Sequence, residues 1–212
     1  MTLDYIAPKD CQKCPRLYQF ISDHKKAHPD WYNGAVPSFG SRDAACLIVG
    51  LAPGLRGANA TGRPFTGDFA GNTLYDALLR HNLASGDYQK HKEDGLRLHN
   101  VRITNAVKCV PPQNKPTADE VNMCRDSYLL DEIKALTGLK VILALGRIAH
   151  QAMVKTFHGK QADFPFSHGA QHQMTADIIM IDSYHCSRYN VQTNRLTEEM
   201  FDDIIQQVKE LI

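Results

Sequence analysis

The chain has 212 residues, 43% of them hydrophobic, which is enough for one sizeable core and ordinary for a soluble globular protein. Its 24 lysines and arginines against 23 acids leave a net charge of +1, so no global field draws in a polyanion, and a nucleic-acid face would have to come from local placement. No apolar run approaches the roughly 18 residues of a membrane span, and the opening "MTLDYIAPKD" is not a basic stretch followed by an apolar one, so a soluble cytoplasmic protein that meets no membrane is expected.

In chain order, the first signal is Cys11-x2-Cys14, later joined by Cys109 and Cys124. Six cysteines in such a chain argue against a disulfide framework and for thiols kept free for metal or chemistry. The two pairs suit one centre of four thiolates, and spacing alone leaves structural zinc and a [4Fe-4S] cluster both open. Next comes the run Cys46–Gly50, too short and too continuously apolar for an amphipathic helix and suited to a strand buried on both faces. It opens into "GLAPGLRGANATGRPFTGDFAG", residues 50–71, a loop rich in glycine and proline that lets backbone come close to a ligand. That loop lacks G-x-x-x-x-G-K-[ST] and a convincing G-x-G-x-x-G, which disfavours a nucleoside triphosphate or dinucleotide. Phe65 and Asp68 put an aromatic face and a carboxylate on it; Asp68 also suits a helix cap.

A helical pattern over 72–82 follows, with Leu74, Leu78 and Leu79 on one face. The second strand is Val101–Asn105, and "VKCVPPQNKPTADE" after it holds Asn114 on a proline-stiffened turn, then opens a helix with Thr117 and Glu120 in a capping box. A third strand over 141–146, a helix over 148–157, a fourth strand over 177–183 and a helix over 197–212 complete the alternation. Four strand–helix units predict an α/β fold: a three-layer α/β/α domain around a central, four-stranded, mostly parallel sheet, with residues 1–40 outside the repeat and no second domain. Ligands of such sheets bind outside the carboxyl ends of the strands. Those ends gather "GLAPG" (Gly50, Leu51, Ala52, Pro53 and Gly54), Asn105, Gly146-Arg147 and "SYHCS" with His185 around one crevice. Beyond His185, the polar stretch Ser187, Arg188, Tyr189, Asn190, Gln192 and Arg195 suits a loop that touches an anionic partner.

"GLAPG", "TGRPFTGD", "NKPT" and "H-x-S…N-x-x-T-x-R-L-T", in this order and with the four cysteines, resemble the iron-sulfur uracil-DNA glycosylases, most closely the type-b branch, or family 5. The resemblance implies a monofunctional glycosylase that cuts a deaminated base from DNA and leaves an abasic site. It implies a [4Fe-4S] cluster on Cys11, Cys14, Cys109 and Cys124, a cluster-binding role for residues 1–40, and a monomer working on uracil-containing DNA. It assigns base stacking to Phe65, the pocket backbone to Gly50–Gly54, water orientation or sugar-charge stabilisation to Asp68, the pyrimidine oxygen to His185, and a further site role to Asn114. Residues 187–190 and Arg195 match the loop that enters the gap left by the flipped nucleotide. The chain departs from the type-b pattern at Asn105, where alanine is usual; the sister family-4 enzymes carry asparagine there to bind the uracil edge, but place glutamate where this chain has Leu51. It departs again at Cys186, which replaces a proline and is expected to loosen its loop. The rival readings are an iron-sulfur DNA-binding module or redox protein without glycosylase activity. A metal-dependent phosphoester hydrolase is disfavoured because clustered carboxylates are lacking.

Overall fold

The computed structural model describes residues 6–212. In chain order its elements are α1 (Pro15–Ala27), β1 (Phe39–Gly40), β2 (Cys46–Gly50), α2 (Ala58–Thr61), α3 (Phe69–Arg80), β3 (Ala84–Ser85), β4 (Arg97–Leu98), β5 (Val101–Asn105), α4 (Ala118–Cys124), α5 (Leu130–Ala135), β6 (Val141–Leu145), α6 (Arg147–Thr156), β7 (Gln171–Gln173), β8 (Ile179–Ser183), α7 (Arg188–Gln192) and α8 (Glu198–Leu211).

The four predicted strands are present, parallel to one another, in the order β5-β2-β6-β8. Every residue of β2, β5 and β6 is buried, because helices cover both faces and alternate side chains feed two cores. On one face Leu47, Val49, Ile142 and Met180 pack with Leu17, Leu129, Ile133 and Met153 from α1, the α4–α5 region and α6. On the other, Ile48, Ile103, Leu143 and Ile181 pack with Leu74, Leu78, Phe201 and Ile205 from α3 and α8. The three layers are therefore those expected. The sheet is wider than four strands, for β1 adds to β5 and β7 adds to β8, each antiparallel, making six. Phe39–Gly40 thus ties the end of the N-terminal segment into the sheet.

Helix starts follow side-chain chemistry. Thr117 accepts the Glu120 N–H while Glu120 reaches back to Thr117, and Thr197 accepts from Met200 at the start of α8. The first predicted helix begins three residues early, at Phe69, capped by Asp68. Between α4 and α5 the chain makes one π turn, Arg125–Leu129, directly after Cys124. Register sets Gly50 beside Asn105 and Leu145 beside Ser183, so the strand tips end level. No helix among the described residues is long and apolar enough to cross a membrane.

Candidate active site

At the level strand tips lies a cavity of about 270 Å³, lined by Leu51, Ala52, Pro53, Gly54, Phe65, Asp68, Ala70, Asn105, Asn114, His185 and Ser187. Three of the four strand ends read from the sequence, those of β2, β5 and β8, thus line a single cavity, while Gly146 and Arg147 at the fourth do not. Gly50 lies behind its wall: a Cβ there would stand 2.5 Å from Asn105 Oδ1 and 2.6 Å from Phe65 Cζ, so only a bare backbone lets both side chains close over it.

Asp68 divides its carboxylate between two tasks. Oδ1 accepts the Gly71 N–H at 3.0 Å and starts α3, while Oδ2 faces the Gly54–Gly57 turn, where Cβ atoms would come within 2.9 and 2.6 Å. Asn105 is 3% exposed and its carboxamide has no hydrogen-bond partner among the described residues. Asn114 follows Gln113 in the left-handed region (φ +56 and +55), which turns it to the cavity mouth. The Phe65 and His185 rings are nearly parallel, 27° apart, with centroids 6.1 Å from each other. Burial pushes the His185 imidazole below its ordinary range, and the nearby Asp68 carboxylate opposes this only in part, so the ring is neutral at pH 7. Gly146, at φ +94, leaves room for the His185 Cβ.

The segment after His185 is a short helix rather than a loop. Ser187 caps α7 by accepting the Asn190 N–H. Asn190 does not point outward with its neighbours, because its Nδ2 donates to the His185 carbonyl at 2.8 Å. Cys186 is fully buried, its thiol donating to the Ala70 carbonyl at 3.5 Å, so two bonds hold the stretch that proline would have stiffened. Arg188 lies over Phe69 and Arg195 over Tyr184, while Tyr189 is 70% exposed beside the cavity.

The four predicted ligand cysteines line one enclosure whose other walls include Ala7, Leu17, Ala35, Val107, Met123 and Tyr128, and all four are free thiols. Burial first, and then repulsion by the neighbouring thiolates, raises Cys109 strongly; burial, then the Glu120 carboxylate and Cys11, raises Cys14. Burial pushes Cys124 up to about 11 against the pull of Lys108. Such a set is costly to ionise until a cation arrives. Cys124 Sγ accepts the Lys108 N–H at 3.3 Å, and the π turn brings the Tyr128 hydroxyl within 3.2 Å of Cys11 Sγ. Arg16 clamps Glu120 through two bonds of 2.8 and 2.7 Å, joining the helices that carry Cys14 and Cys124. Four thiols around one enclosure are the donor type that iron-sulfur clusters and zinc use, although their sulfurs do not form a close ligand group like that of His150, His172 and Asp182. Two backbone bonds prolong the β2–β5 pairing past the tips, Ala106 N–H to Gly50 and Val107 N–H to Leu51, so Asn105 and Cys109 share one rigid exit.

Two other features are polar but already satisfied. A larger cavity of about 370 Å³ beside β1 is lined by Arg102, Lys108 and Glu132. Arg102 and Lys108 bind the two oxygens of Glu132 at 2.8 and 2.9 Å. Burial raises the Glu132 carboxyl, but Lys108 and Arg102 outweigh it and hold it at about 2. Sequence reasoning missed the buried group His150, Asp182 and His172. Its N···O distances of 2.8 and 3.0 Å are those of hydrogen bonds, and His150 spends its other nitrogen on the Phe164 carbonyl. The group pins β7 and α6 to β8. The strand-tip cavity differs, since Asp68 Oδ2, Asn105, Asn114 and His185 present polar atoms that no described residue engages.

A family model described as the Uracil DNA glycosylase superfamily matches residues 37–209. The chain is 41% identical over 207 residues to a type-5 uracil-DNA glycosylase of Thermus thermophilus, covering 95% of this chain and 93% of that protein. It is 37% identical over 201 residues to a type-5 uracil-DNA glycosylase of Pyrobaculum aerophilum, covering 93% and 87%. To a type-4 uracil-DNA glycosylase of Sulfurisphaera tokodaii it is 30% identical over 200 residues, covering 92% and 78%.

Proposed function

The chain belongs to the uracil DNA glycosylase superfamily, and we propose that it is a type-5 uracil-DNA glycosylase that turns uracil out of DNA, hydrolyses its bond to deoxyribose and leaves an abasic site for base excision repair. The carrying observation is one cavity of about 270 Å³ in which a ring, a carboxylate, two carboxamides and an imidazole from the tips of three strands, β2, β5 and β8, converge with atoms unspent. Hypoxanthine and other deaminated bases are secondary substrates in this reading. In this reading the enzyme works as a monomer.

A base inside the stack is out of reach, and extruding it costs a few kcal/mol, least where pairing is poor. Phe65 stacks on the extruded base and Asn105 hydrogen-bonds its edge. Cleavage then develops positive charge on the sugar and negative charge on the departing pyrimidine. Asp68 Oδ2 answers the first and orients the water that adds to the sugar carbon, taking its proton. Neutral His185 donates N–H to the pyrimidine oxygen, a contact that strengthens as charge builds there. Asn114 closes the mouth. Ser187, Arg188 and Arg195 meet the backbone, and exposed Tyr189 enters the gap in the duplex. Cys11, Cys14, Cys109 and Cys124 hold a [4Fe-4S] cluster, which supplies a structural cross-link between the N-terminal segment and the β5 exit.

The test is a panel of duplexes, each with one modified base, incubated with wild type or Asp68→Asn and then cleaved at abasic sites. Asparagine caps a helix as well as aspartate does, so the fold is kept while excision of uracil falls about 10²- to 10⁴-fold. A wild-type protein that yields no abasic product on the uracil duplex would sink the proposal. Iron and sulfide in equal amounts, without zinc, are expected on analysis of the purified protein.

A further inference from the structure

Phe65 takes φ +52 and Gly67 φ +92. An aromatic residue persists in the left-handed region only where its surroundings hold it there. Besides Thr61, whose Oγ1 donates to the Thr66 carbonyl at 3.2 Å, three side chains grip this turn. Tyr75 donates to the Pro64 carbonyl at 2.6 Å, and Arg63 Nε donates to Thr66 Oγ1 at 2.8 Å. The Tyr88 hydroxyl donates to the Phe65 carbonyl and accepts the Gly67 N–H, both at 3.2 Å. Of the three, only Tyr88 touches both left-handed residues.

Tyr88 comes from the stretch 86–96 that joins β3 to β4, and this stretch is latched to the turn it serves. Arg63 grips Asp94 through two bonds of 2.7 and 2.6 Å, and the Asp94 side chain is fully covered. Asp94 in turn accepts the N–H groups of Gln89 and Leu96 at 3.0 and 3.1 Å, closing the stretch on either side. The Tyr88 ring lies against Tyr75, centroids 4.6 Å apart. Gly71 makes room for the arrangement, for a Cβ there would meet the Phe65 carbonyl at 1.7 Å and the Tyr88 hydroxyl at 2.7 Å. Burial pushes the phenol up, the Gly67 N–H opposes, and Asp68 adds to the rise; the proton given to Phe65 therefore stays on.

We propose, resting on the glycosylase reading above, that Tyr88 is a positioning residue for base excision: by bridging the Phe65 carbonyl and the Gly67 amide, its hydroxyl holds the Phe65 ring where it stacks on the extruded base. Tyr88→Phe keeps the ring on Tyr75 and removes only the bridge. Under single turnover at saturating uracil duplex, its rate constant is expected to fall about tenfold, while affinity for a duplex carrying a ready-made abasic site, with no base to stack, is unchanged. Amide exchange at Gly67 is expected to quicken in the same variant. A wild-type rate constant with wild-type exchange at Gly67 overturns the proposal. So does a parallel loss of abasic-site affinity, which would make the tyrosine a general prop of the DNA face. If wild type excises no uracil at all, the glycosylase reading falls and takes this proposal with it; an active wild type with an equally active Tyr88→Phe removes only the role of Tyr88.

Discussion

Asn105 is the residue whose surroundings say most about which base is accepted. The residue is 3% exposed, and its carboxamide lines the cavity with no hydrogen-bond partner among the described residues; an amide so placed favours a ligand that satisfies it and penalises one that does not. Asn105→Ala should therefore lower uracil excision about tenfold relative to hypoxanthine excision. The ratio of single-turnover rates on two otherwise identical duplexes measures this, and an unchanged ratio would remove Asn105 from substrate choice. His185 makes a prediction about pH. Its folded-state value lies below the ordinary 6.5, so the unfolded chain takes up the proton first, and the stability present above that pH is lost as pH falls through it toward the folded value. Urea midpoints from about pH 7.5 to about pH 5 should fall less for His185→Gln than for wild type. Equal acid-side losses would mean that the ring contributes nothing to the pH dependence.

At the scale of elements, caps were among the clearest signals. Thr117 and Glu120 form the reciprocal pair that their spacing announces. Thr117→Ala should cost about 1 kcal/mol in urea unfolding, with Thr117→Ser close to wild type and excision unchanged in both. The buried parallel strands were equally legible, since a short β-branched run bounded by glycine or asparagine has few other fates. Several elements were not, α1 among them. β1 and β7 have two and three residues, pair on one side only and bury no apolar run. α7 is five residues with Val191 as its one aliphatic side chain and no apolar stripe, formed because Ser187 caps it and Asn190 ties it to His185. The π turn that brings Tyr128 to Cys11 left no periodicity to find. Much of the candidate site was legible because strand ends can be counted from sequence. Tyr88 and Asp94 were not, since their contacts with residues 63–67 span 21 to 31 positions in what reads as a polar loop.

Over the whole molecule, a charge of +1 means that affinity for a polyanion must come from where cations stand. Arg56, Lys115, Arg147 and Arg188 are exposed and flank in sequence residues at the strand tips, Leu55, Asn114, Gly146 and Ser187. Lys115→Ala should weaken binding evenly across duplex sequences and reduce the slope of log affinity against log salt by about one. Titrations by fluorescence anisotropy at several salt concentrations give that slope, and an unaltered one would place Lys115 off the phosphate path. The two apolar cores on either side of the sheet anchor the strands from whose tips these cations extend.

Any single-nucleotide missense change at the Gly50 codon installs a Cβ, and there that atom would strike Asn105 and Phe65 together. Any side chain at position 50 therefore requires both the Asn105 carboxamide and the Phe65 ring to move, so one substitution there would disturb two walls of the cavity at once.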